Sequence, residues 1–505
     1  MRSSASKVIK LHPDDNVAVA LEKLNPGDVV TVGELSIPIK EEINTGHKVA
    51  LVSIEQGSNV IKYGYPIGHA VQSIEPGAWV HSHNLETNLE GLLEYTYEPN
   101  IDEAWKDACD TNICSKTFQG YVREDGQVGV RNEIWIINTV GCVNKTAEKL
   151  AKEANKLFAD RNIDGVYHFA HPYGCSQLGD DHLYTQKILA DLVHHPNAGA
   201  VLVLGLGCEN NNIPEFQKVI GDWNPQRVKF MNTQDVEDEI EEGLAILAQL
   251  VEYAEQFERE PVPVSKLVVG LKCGGSDGFS GITANPLVGA FSDMLTACGG
   301  TTLLTEVPEM FGAETILMNR CISKEVFDKC VNMINGFKEY YIRHGQVIYE
   351  NPSPGNKEGG ITTLEDKSLG CTQKGGTSPV VDVLDYGERV KEKGLNLLKG
   401  PGNDIVAVTA LAASGAQLVL FTTGRGTPLG GPVPTVKIST NTALAVKKKN
   451  WIDFNAGQLV EGKTMEDLKV EFFNYVIDVA SGKERTKNEL NDFREIAIFK
   501  DGVIL

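Results

Sequence analysis

An apolar strand followed by an amphipathic helix recurs along most of this chain, and this alternation constrains the fold more than any other feature. The run "EIWIINTVGC" (133–142) precedes the helical "NKTAEKLAKEANKLF", and "GAVLVLGLGC" (199–208) precedes "IPEFQKVIG". After a proline pair near 261 the pattern restarts with "KLVVGLKCGG" and "NPLVGAFSDMLTACG". Such a succession builds mostly parallel sheets covered by helices on both faces. The pattern therefore predicts two α/β domains, at 119–261 and 262–505.

Residues 1–98 have a different sequence pattern. Short runs of β-forming residues such as "GDVVTV", "HKVALVSI" and "AWVHSH" are separated by Gly, Pro and Asn, and helical periods are few. This composition is typical of a small all-β module. Residues 99–118 lack strand alternation and are expected to form a linker. The predicted fold class is α/β, with a small N-terminal all-β module followed by two α/β domains that have mostly parallel sheets.

The charge balance restricts the partners of the chain. Its 505 residues include 47 Lys and Arg against 68 Asp and Glu, so the formal net charge is 47 − 68 = −21. Such a charge repels nucleic acid and anionic lipid, and no stretch approaches the roughly 20 apolar residues of a membrane span. Since no export signal is present either, the sequence predicts a cytoplasmic protein with a small-molecule partner, no nucleic acid and no membrane. Whether copies associate into a homo-oligomer is left open.

Ten cysteines are spread along the chain, which favours reduced thiols over a disulfide framework. Four of them share a position, because Cys142, Cys175, Cys208 and Cys273 each lie beside glycine just past an apolar strand. Ligands of open α/β sheets bind beyond the carboxyl ends of the strands. A single cysteine there is more often a small buried hydrophobe, but four equivalent endings favour a ligand site.

Ligands of other kinds accompany these thiols. The segment "HPYGCSQLGDDH" (171–182) places His171 and His182 around Cys175, and Glu209 follows Cys208. Thiolates select iron, iron–sulfur clusters or zinc, whereas carboxylates suit magnesium or manganese. Iron fits this mixture best, with manganese as its substitute. Because no C-x-x-C pair occurs, the fold itself would have to assemble the centre.

Two stretches have the composition of an anion site. In "FTTGRGTPLGGPVPTVK", Arg425 lies among glycines and hydroxyls at a strand end, and a guanidinium fork suits a carboxylate. The stretch "NPSPGNKEGGITTLEDKSLG" offers Asn356, Lys357 and Lys367 to a polar substrate, although an ordinary surface loop explains it equally well. The first βα turn reads "GCVNKT" and no G-x-x-x-x-G-K-[ST] occurs. Dinucleotide and Walker-type nucleotide binding are therefore weak alternatives.

Long motifs follow one another in a fixed order along the chain. They include "IKYGYPIGHA", "GVRNEIWIINTVGCVN", "HPYGCSQLGDDH", "GLGCENN", "CGGSDGFSGITANP", "LTEVPEMFGAE", "ENPSPGNKEGGITTLEDKSLGCTQK" and "NDFREIAIFKDGV". In these motifs, which cover nearly the whole chain, it resembles the altronate/galactarate dehydratase family. Within that family, "HSHN" (81–84) and "SQLGDDH" resemble the altronate enzymes. The N-terminal module resembles the SAF domain, a β-clip fold.

The resemblance implies an iron-dependent hydro-lyase that converts D-altronate to 2-dehydro-3-deoxy-D-gluconate and water. Removing the proton alpha to a carboxylate builds negative charge, so a cation must stabilise the enediolate, and an acid or a metal must help the 3-hydroxyl to leave. Dehydration of galactarate and a sulfo-lyase reaction on a related 2-hydroxy acid are the alternatives. Fusion of the β module to the main body favours a sugar-acid dehydratase over the sulfo-lyase.

This chemistry assigns expected roles to the candidate residues. The expected metal ligands lie at strand ends: Cys175, Cys208 and Cys273, with His171, Glu209 and Cys142 as additions. Whether the metal is one ferrous ion or an iron–sulfur cluster is left open.

Proton transfer is expected of His182, Asp277 or Lys367, and substrate contact of the following polar side chains: Arg425 as a carboxylate clamp, Asn356, Lys357, His81 and His83. The two histidines, two apart on a predicted strand, would point to one face and reach the site from the β module.

Two other classes remain as alternatives. One is a sugar-acid binding or sensory protein without catalysis, and the other is a β-clip interaction module on an inactive scaffold. The acid, base and thiol groups occur together, which argues against both, because a binding protein needs no set of thiolates.

Overall fold

The N-terminal module consists of short antiparallel strands. The computed structural model describes residues 6–108 and 111–502. The strands of the module are β1 (Val8–Ile9), β2 (Val17–Ala20), β3 (Val29–Val32), β4 (Leu35–Pro38), β5 (Lys48–Ala50), β6 (Asn59–Lys62), β7 (Tyr65–Ala70), β8 (Trp79–Val80) and β9 (Leu85–Glu86). They form small sheets in the orders β1-β2-β5-β8, β3-β4 and β6-β7-β9, with antiparallel pairing throughout. The predicted all-β module is confirmed.

The middle of the chain alternates strands and helices. Its strands are β10 (Thr117–Val122), β11 (Val128–Gly129), β12 (Glu133–Asn138), β13 (Val166–His168), β14 (Ala198–Gly205), β15 (Val228–Asn232) and β16 (Arg259–Pro263). Its helices are α1 (Thr111–Cys114), α2 (Asn144–Leu157), α3 (Gly179–Val193), α4 (Ile213–Ile220) and α5 (Glu239–Ala254). Strands β11, β10 and β16 form an antiparallel sheet, and the others form a parallel sheet in the order β13-β12-β14-β15.

Strand β12 is the first strand of this parallel sheet along the chain. It lies between β13 and β14, so later strands are added on both of its sides. The registers pair Ile136 of β12 with His168 of β13 and Asn138 of β12 with Leu204 of β14. Strands β12 and β14 are buried along their whole length, as parallel strands covered on both faces require. The loops after β12, β13 and β14 therefore meet at one edge, at the kind of switch point where α/β sheets bind ligands.

The last segment builds a larger parallel sheet in the order β19-β20-β18-β17-β21-β22-β23. Its strands are β17 (Val268–Cys273), β18 (Thr301–Leu304), β19 (Val380–Leu384), β20 (Gly394–Leu398), β21 (Leu418–Thr423), β22 (Thr435–Ser439) and β23 (Phe454–Asn455). Its helices are α6 (Ala284–Ala297), α7 (Glu314–Met318), α8 (Lys324–Arg343), α9 (Pro354–Glu358), α10 (Leu364–Cys371), α11 (Asp404–Ala413), α12 (Thr442–Lys447), α13 (Met465–Ala480) and α14 (Lys487–Leu490). The predicted α/β class is confirmed.

The proline pair near 261 lies inside a strand rather than at a break in structure. Pro261 and Pro263 belong to β16, which pairs with β10 at the edge of its sheet. Proline lacks the amide proton of a ladder and is tolerated at such an edge. The division of the chain at 261 stays a prediction, but the prolines do not mark it by ending an element.

Apolar side chains from the two parallel sheets share one core. Trp135 and Val201 of the smaller sheet belong to the same buried cluster as Phe421 of the larger sheet and Leu411 of α11. Helices α3 and α11 pack together across this contact. Within the described residues, no helix combines the length and the apolar composition needed to cross a bilayer.

Two cysteines that the sequence predicts to be reduced are joined in the structure. Cys114 at the end of α1 and Cys298 just after α6 form a disulfide, with their Cα atoms 4.8 Å apart. The fold brings them together across 184 residues, a proximity that no local pattern indicates. The seven other cysteines in the described part of the chain are free.

Candidate active site

Three free and exposed cysteines lie at one edge of the smaller parallel sheet. Cys142 follows β12, Cys175 follows β13 and Cys208 follows β14. We call these three residues the cysteine trio. Their exposure excludes the interpretation as small buried hydrophobes that the sequence leaves open for each of them.

Hydrogen bonds join the loops that carry the trio. The amide of Gly141 donates to the carbonyl of Tyr173 at 2.9 Å. The amide of Asn211 donates to the carbonyl of Gly174, also at 2.9 Å. Each bond therefore joins the loop of Cys175 to the loop of another member of the trio.

Glycine is required where these loops cross. A Cβ on Gly174, which has a φ of 99°, would lie 1.9 Å from the carbonyl oxygen of Thr139. A Cβ on Gly141 would lie 2.6 Å from the carbonyl oxygen of His171. The glycines that precede Cys142 and Cys175 thus allow the backbones to approach closely, as the sequence predicts for a site at strand ends.

His171, an expected metal ligand, instead holds its loop in place. Its Nε2 lies 2.8 Å from the carbonyl oxygen of Asn138, and its Nδ1 accepts from the amide of Tyr173 at 3.2 Å. Burial lowers the pKa of the imidazole to about 4, so the ring is neutral at pH 7. Because both ring nitrogens are engaged, His171 is not available as a ligand in this structure.

Glu209, the other expected non-cysteine ligand, has a similar role beside Cys208. Its carboxylate accepts from the amides of Leu206 at 3.1 Å and Gly207 at 2.7 Å, and from the hydroxyl of Thr139. The side chain is buried. Its oxygens therefore stabilise the turn after β14, and the prediction that they bind metal has no support in this arrangement.

His182 lies on α3, which begins shortly after Cys175. Burial and the charge of Lys500 lower the pKa of its imidazole. Among the described residues its Nδ1 has no hydrogen-bond partner. A neutral ring with an unengaged nitrogen can accept a proton, and the role of His182 in proton transfer stays a prediction.

Cys273, at the end of β17 in the larger sheet, has different partners. Its sulfur lies 3.4 Å from that of Cys371, and both thiols donate to the carboxylate of Glu309 at 3.1 Å. We call Cys273 and Cys371 the buried cysteine pair. In the part of the chain that the structure describes, Cys273, Glu309 and Cys371 form a set whose ligand atoms lie within 4.8 Å of one another. This set includes neither Cys175 nor Cys208. The predicted grouping of Cys273 with those two residues therefore has no support.

Buried lysines surround this pair. Lys374 donates to the sulfur of Cys273 at 3.0 Å, and Lys367 lies 2.9 Å from the carboxylate of Glu309. Burial opposes ionisation of Glu309, but the ammonium groups of Lys367, Lys272 and Lys374 hold its pKa well below the usual range. Glu306 is a second buried carboxylate here and pairs with Lys272 and Lys374, so the network contains buried charges of both signs.

The buried pair does not fit a metal ion that is open to substrate. Cys273 is 1% and Cys371 3% exposed. The hydrogen bond shared with Cys273 and burial raise the pKa of the Cys371 thiol, whereas a metal ligand must be a thiolate. A cation placed here would also meet the ammonium groups of the neighbouring lysines.

A second polar region joins the β module to the C-terminal part of the chain. Lys48 lies 2.7 Å and Lys62 2.9 Å from the carboxylate of Asp366 on α10, and all three side chains are buried. Lys48 also donates to the carbonyl of Gly360 and the hydroxyl of Thr362, both at 2.8 Å. We call this contact between the β module and residues 351–371 the module interface.

His81 and His83 lie in a turn after β8 rather than in a strand, so the prediction that they share one strand is wrong. Asn84 closes this turn by accepting from the amide of His81 and donating to the carbonyl of Trp79, both at 2.9 Å. The rings of both histidines lie 5.1 Å from that of Trp79. His81 is buried, with its Nδ1 2.9 Å from the hydroxyl of Thr362, and His83 is exposed.

Asp277, Asn356 and Lys367 lie together beside the module interface. Asn356 donates to the carbonyl of Ser276 at 2.9 Å and accepts from the ammonium of Lys367 at 3.3 Å. The carboxylate of Asp277 accepts from the hydroxyl of Thr440 at 2.9 Å. Burial raises the pKa of Asp277 although its hydrogen bonds oppose the shift.

Arg425 and Lys357 lie on the solvent side of the same region. Arg425 pairs with Glu358 at 2.7 Å, with side chains 43% and 71% exposed, and Lys357 is half-buried on α9. Glu358 in turn belongs to the module interface, since its carbonyl lies 3.1 Å from Nε2 of His47. An exposed ion pair of this kind is weak. A substrate carboxylate could therefore replace Glu358 at the guanidinium.

Three family models match consecutive parts of this architecture. They are the altronate/galactarate dehydratase SAF domain at 6–88, the second domain of D-galactarate dehydratase/altronate hydrolase at 120–255, and the C-terminal domain of D-galactarate/altronate dehydratase at 264–504. The chain therefore belongs to the altronate/galactarate dehydratase family, and it is an enzyme of the hydro-lyase class.

Individual relatives match over nearly their full length. Altronate dehydratase of Escherichia coli is 56% identical over 98% of this chain and 99% of its own length, and altronate dehydratase of Bacillus subtilis is 56% identical over the same shares. Galactarate dehydratase (L-threo-forming) of Escherichia coli is 34% identical over 97% of this chain and 96% of its own length.

Several residues of the site carry no signal in the sequence. The pattern assigns no role to Cys371, Glu309 or Lys374, which meet Cys273 from distant parts of the chain. The pairing of Lys48 with Asp366 is more remote still, since the two residues are 318 positions apart. Pairs of this kind arise from the tertiary fold, and periodicity and local motifs do not predict them.

Proposed function

We propose that this enzyme converts D-altronate to 2-dehydro-3-deoxy-D-gluconate and water, and that it requires iron. The observation that carries the proposal is the close, nearly full-length match to altronate dehydratases of two organisms. The more distant match to a galactarate dehydratase favours altronate over galactarate as the substrate.

The module interface supplies groups that suit a sugar acid. The exposed guanidinium of Arg425 would bind the substrate carboxylate in place of Glu358. Lys357 on α9 and the exposed His83, whose ring contacts Trp79 of the β module, would contact the hydroxyl groups. Binding the carboxylate to a cation stabilises the negative charge that develops when the alpha proton leaves.

The proton-transfer roles follow from the charge state of each candidate. Burial opposes protonation of Lys367, but the carboxylate of Glu309 raises its pKa, so it is a cation that can assist departure of the 3-hydroxyl and not a base. Asp277 and His182 are the proposed alternatives for the base. Asp277 lies beside the module interface and is favoured for that reason.

The iron requirement fits the donors of this chain. The trio provides three exposed sulfur donors at one sheet edge, whereas the buried pair is enclosed by lysines. Iron, when bound, supplies a Lewis acid that polarises the substrate carboxylate or the leaving hydroxyl. Manganese is the proposed substitute.

Steady-state turnover of anaerobically prepared, iron-supplied enzyme on D-altronate and galactarate tests the proposal, with the product identified by mass spectrometry. We expect kcat/KM for D-altronate to exceed that for galactarate by at least about tenfold, because a site that binds a terminal hydroxyl group by hydrogen bonds discriminates against a carboxylate in its place. Arg425→Gln should raise KM by about tenfold or more through loss of a charged hydrogen bond. Lys463→Gln, at an exposed ion pair with Glu471, is the matched control. A higher kcat/KM on galactarate would overturn the substrate assignment.

A further inference from the structure

We propose that Cys142, Cys175 and Cys208 together hold an iron–sulfur cluster and leave one of its iron atoms free to bind a ligand that is not from the protein. The inference deepens the iron requirement of the proposed function and rests on it for the catalytic use of the cluster. The presence of the cluster is a separate matter that can be measured without turnover.

The first support is that hydrogen bonds join the three loops that carry these thiols. Besides the backbone bonds already described, the amide of Ser176 donates to the side chain of Asn210 at 2.8 Å, which joins the residue after Cys175 to a residue close to Cys208. Ser176 has a φ of 57°, in the left-handed region that a serine rarely adopts. The loop is thus fixed in a shape that the serine itself does not favour.

The second support is exposure without a packing role. A free cysteine in a folded protein is usually buried as a small hydrophobe. In the described part of the chain the trio comprises all the exposed free cysteines, and the other free cysteines are buried. Three exposed thiols on adjacent loops therefore call for a ligand rather than for packing.

The spacing of the sulfurs does not fit a single ion in this structure. Two thiolates on one tetrahedral ion, each at about 2.3 Å, lie roughly 3.8 Å apart. Among the described residues, the buried pair and Glu309 form a set of ligand atoms within 4.8 Å of one another, but the trio does not meet that spacing. A unit of several iron and sulfide ions spans more widely spaced thiolates than one ion can.

The groups around the trio suit a sulfur-rich anion. The side-chain amide of Gln234 donates to the sulfur of Cys208 at 3.5 Å, and hydrogen bonds to sulfur tune such clusters. The neighbouring carboxylate of Glu209 turns its oxygens to the backbone of its own loop. Soft sulfur donors favour iron and sulfide over magnesium.

The test uses the full-length protein, purified anaerobically and reconstituted with ferrous iron and sulfide. We expect about four iron and four acid-labile sulfide ions per chain, with the visible absorption and the electron paramagnetic resonance signal of a cluster. Cys142→Ser, Cys175→Ser and Cys208→Ser should each lower iron and sulfide at least severalfold. Because these side chains are exposed, the variants should keep the melting temperature and circular dichroism of the parent apo-protein.

Two buried-cysteine variants serve as controls. Cys330→Ala and Cys273→Ala should retain the iron and sulfide of the parent protein, since neither residue belongs to the trio. One iron per chain without sulfide would overturn the cluster, and so would full iron and sulfide in the three serine variants or their loss in Cys273→Ala. A complete cluster in a protein that does not turn over D-altronate would contradict the proposed function and support this inference. Turnover of D-altronate by a protein with no iron or sulfide would contradict both the catalytic use of the cluster and the iron requirement, and would leave the dehydration of D-altronate supported.

Discussion

The cysteine trio and the buried cysteine pair begin from the same local pattern and end in opposite environments. Cys175 and Cys273 both lie beside glycine at the carboxyl end of a parallel strand. Cys175 is exposed and its loop bonds to other cysteine-bearing loops, whereas Cys273 is buried between Cys371, Glu309 and Lys374.

The difference shows what a strand-end motif does and does not determine. The motif places a thiol at the edge of a sheet, where ligands of α/β proteins bind. Whether the thiol is open to a ligand depends on the side chains that other helices and loops place at that edge. At the larger sheet, α10 covers the edge with Cys371 and Lys367, and the thiol becomes part of a buried charge network.

The largest expected effect separates the two regions by stability. Glu309→Ala leaves the ammonium of Lys367 buried without its carboxylate, and removing one partner of a buried ion pair costs about 3–5 kcal/mol. Cys208→Ser, at an exposed position of the trio, should change the free energy of unfolding of the apo-protein by less than about 0.5 kcal/mol. Urea unfolding of both apo-proteins measures the contrast. Equal losses would show that the trio is as much a part of the packed structure as the buried network.

Acid should weaken the buried network through Glu309. The pKa of this carboxyl is lowered in the folded protein, because the lysine charges outweigh the effect of burial. Its contribution to stability is therefore complete above its unfolded pKa of roughly 4.3 and is lost as the pH falls below that value. Unfolding free energies of the parent protein and Glu309→Gln between pH 7 and 3 should show a shallower acid loss in the variant. Parallel curves would indicate that Glu309 is not the titrating group.

A smaller effect is expected from the buried thiols themselves. Cys371→Ala removes a buried sulfur and leaves a small cavity, which should cost about 1–2 kcal/mol. Iron content should be unchanged, because the pair is assigned no metal. Loss of iron together with stability would place a metal at the buried pair and reverse the comparison.

Chemical labelling gives the least perturbing distinction. In the apo-protein, Cys142, Cys175 and Cys208 should react with a maleimide under native conditions, because all three are exposed. Cys321 and Cys330 are buried and should react after unfolding. Peptide mass mapping at successive times measures the order. Labelling of Cys330 before Cys175 would be inconsistent with the exposures in the structure.

Sequence patterns predict the parts of the fold that local physics controls. Alternating strands and helices indicate both parallel sheets, and the Gly–Cys endings locate the loops of the trio. The strand predicted for His81 and His83 is wrong because the side chain of Asn84 closes a turn there. Pro261 does not end its strand because β16 lies at a sheet edge.

The long-range contacts of the site are beyond such patterns. Cys371 belongs to a helix of ordinary composition, and its sulfur meets Cys273 from 98 positions away. His171 and Glu209 have the chemistry of ligands, but their hydrogen bonds shape the loops around the trio. Side-chain chemistry alone does not tell a ligand from a residue that positions one.

The position of iron in a crystal is the most direct test of the account. Anaerobically grown crystals of the reconstituted enzyme would be measured on both sides of the iron absorption edge, and the anomalous difference map would locate every iron atom. The account predicts a compact group of iron peaks at the edge of the smaller sheet, among the sulfurs of Cys142, Cys175 and Cys208. An iron peak bound by Cys273, Glu309 and Cys371, with none at the trio, would contradict it.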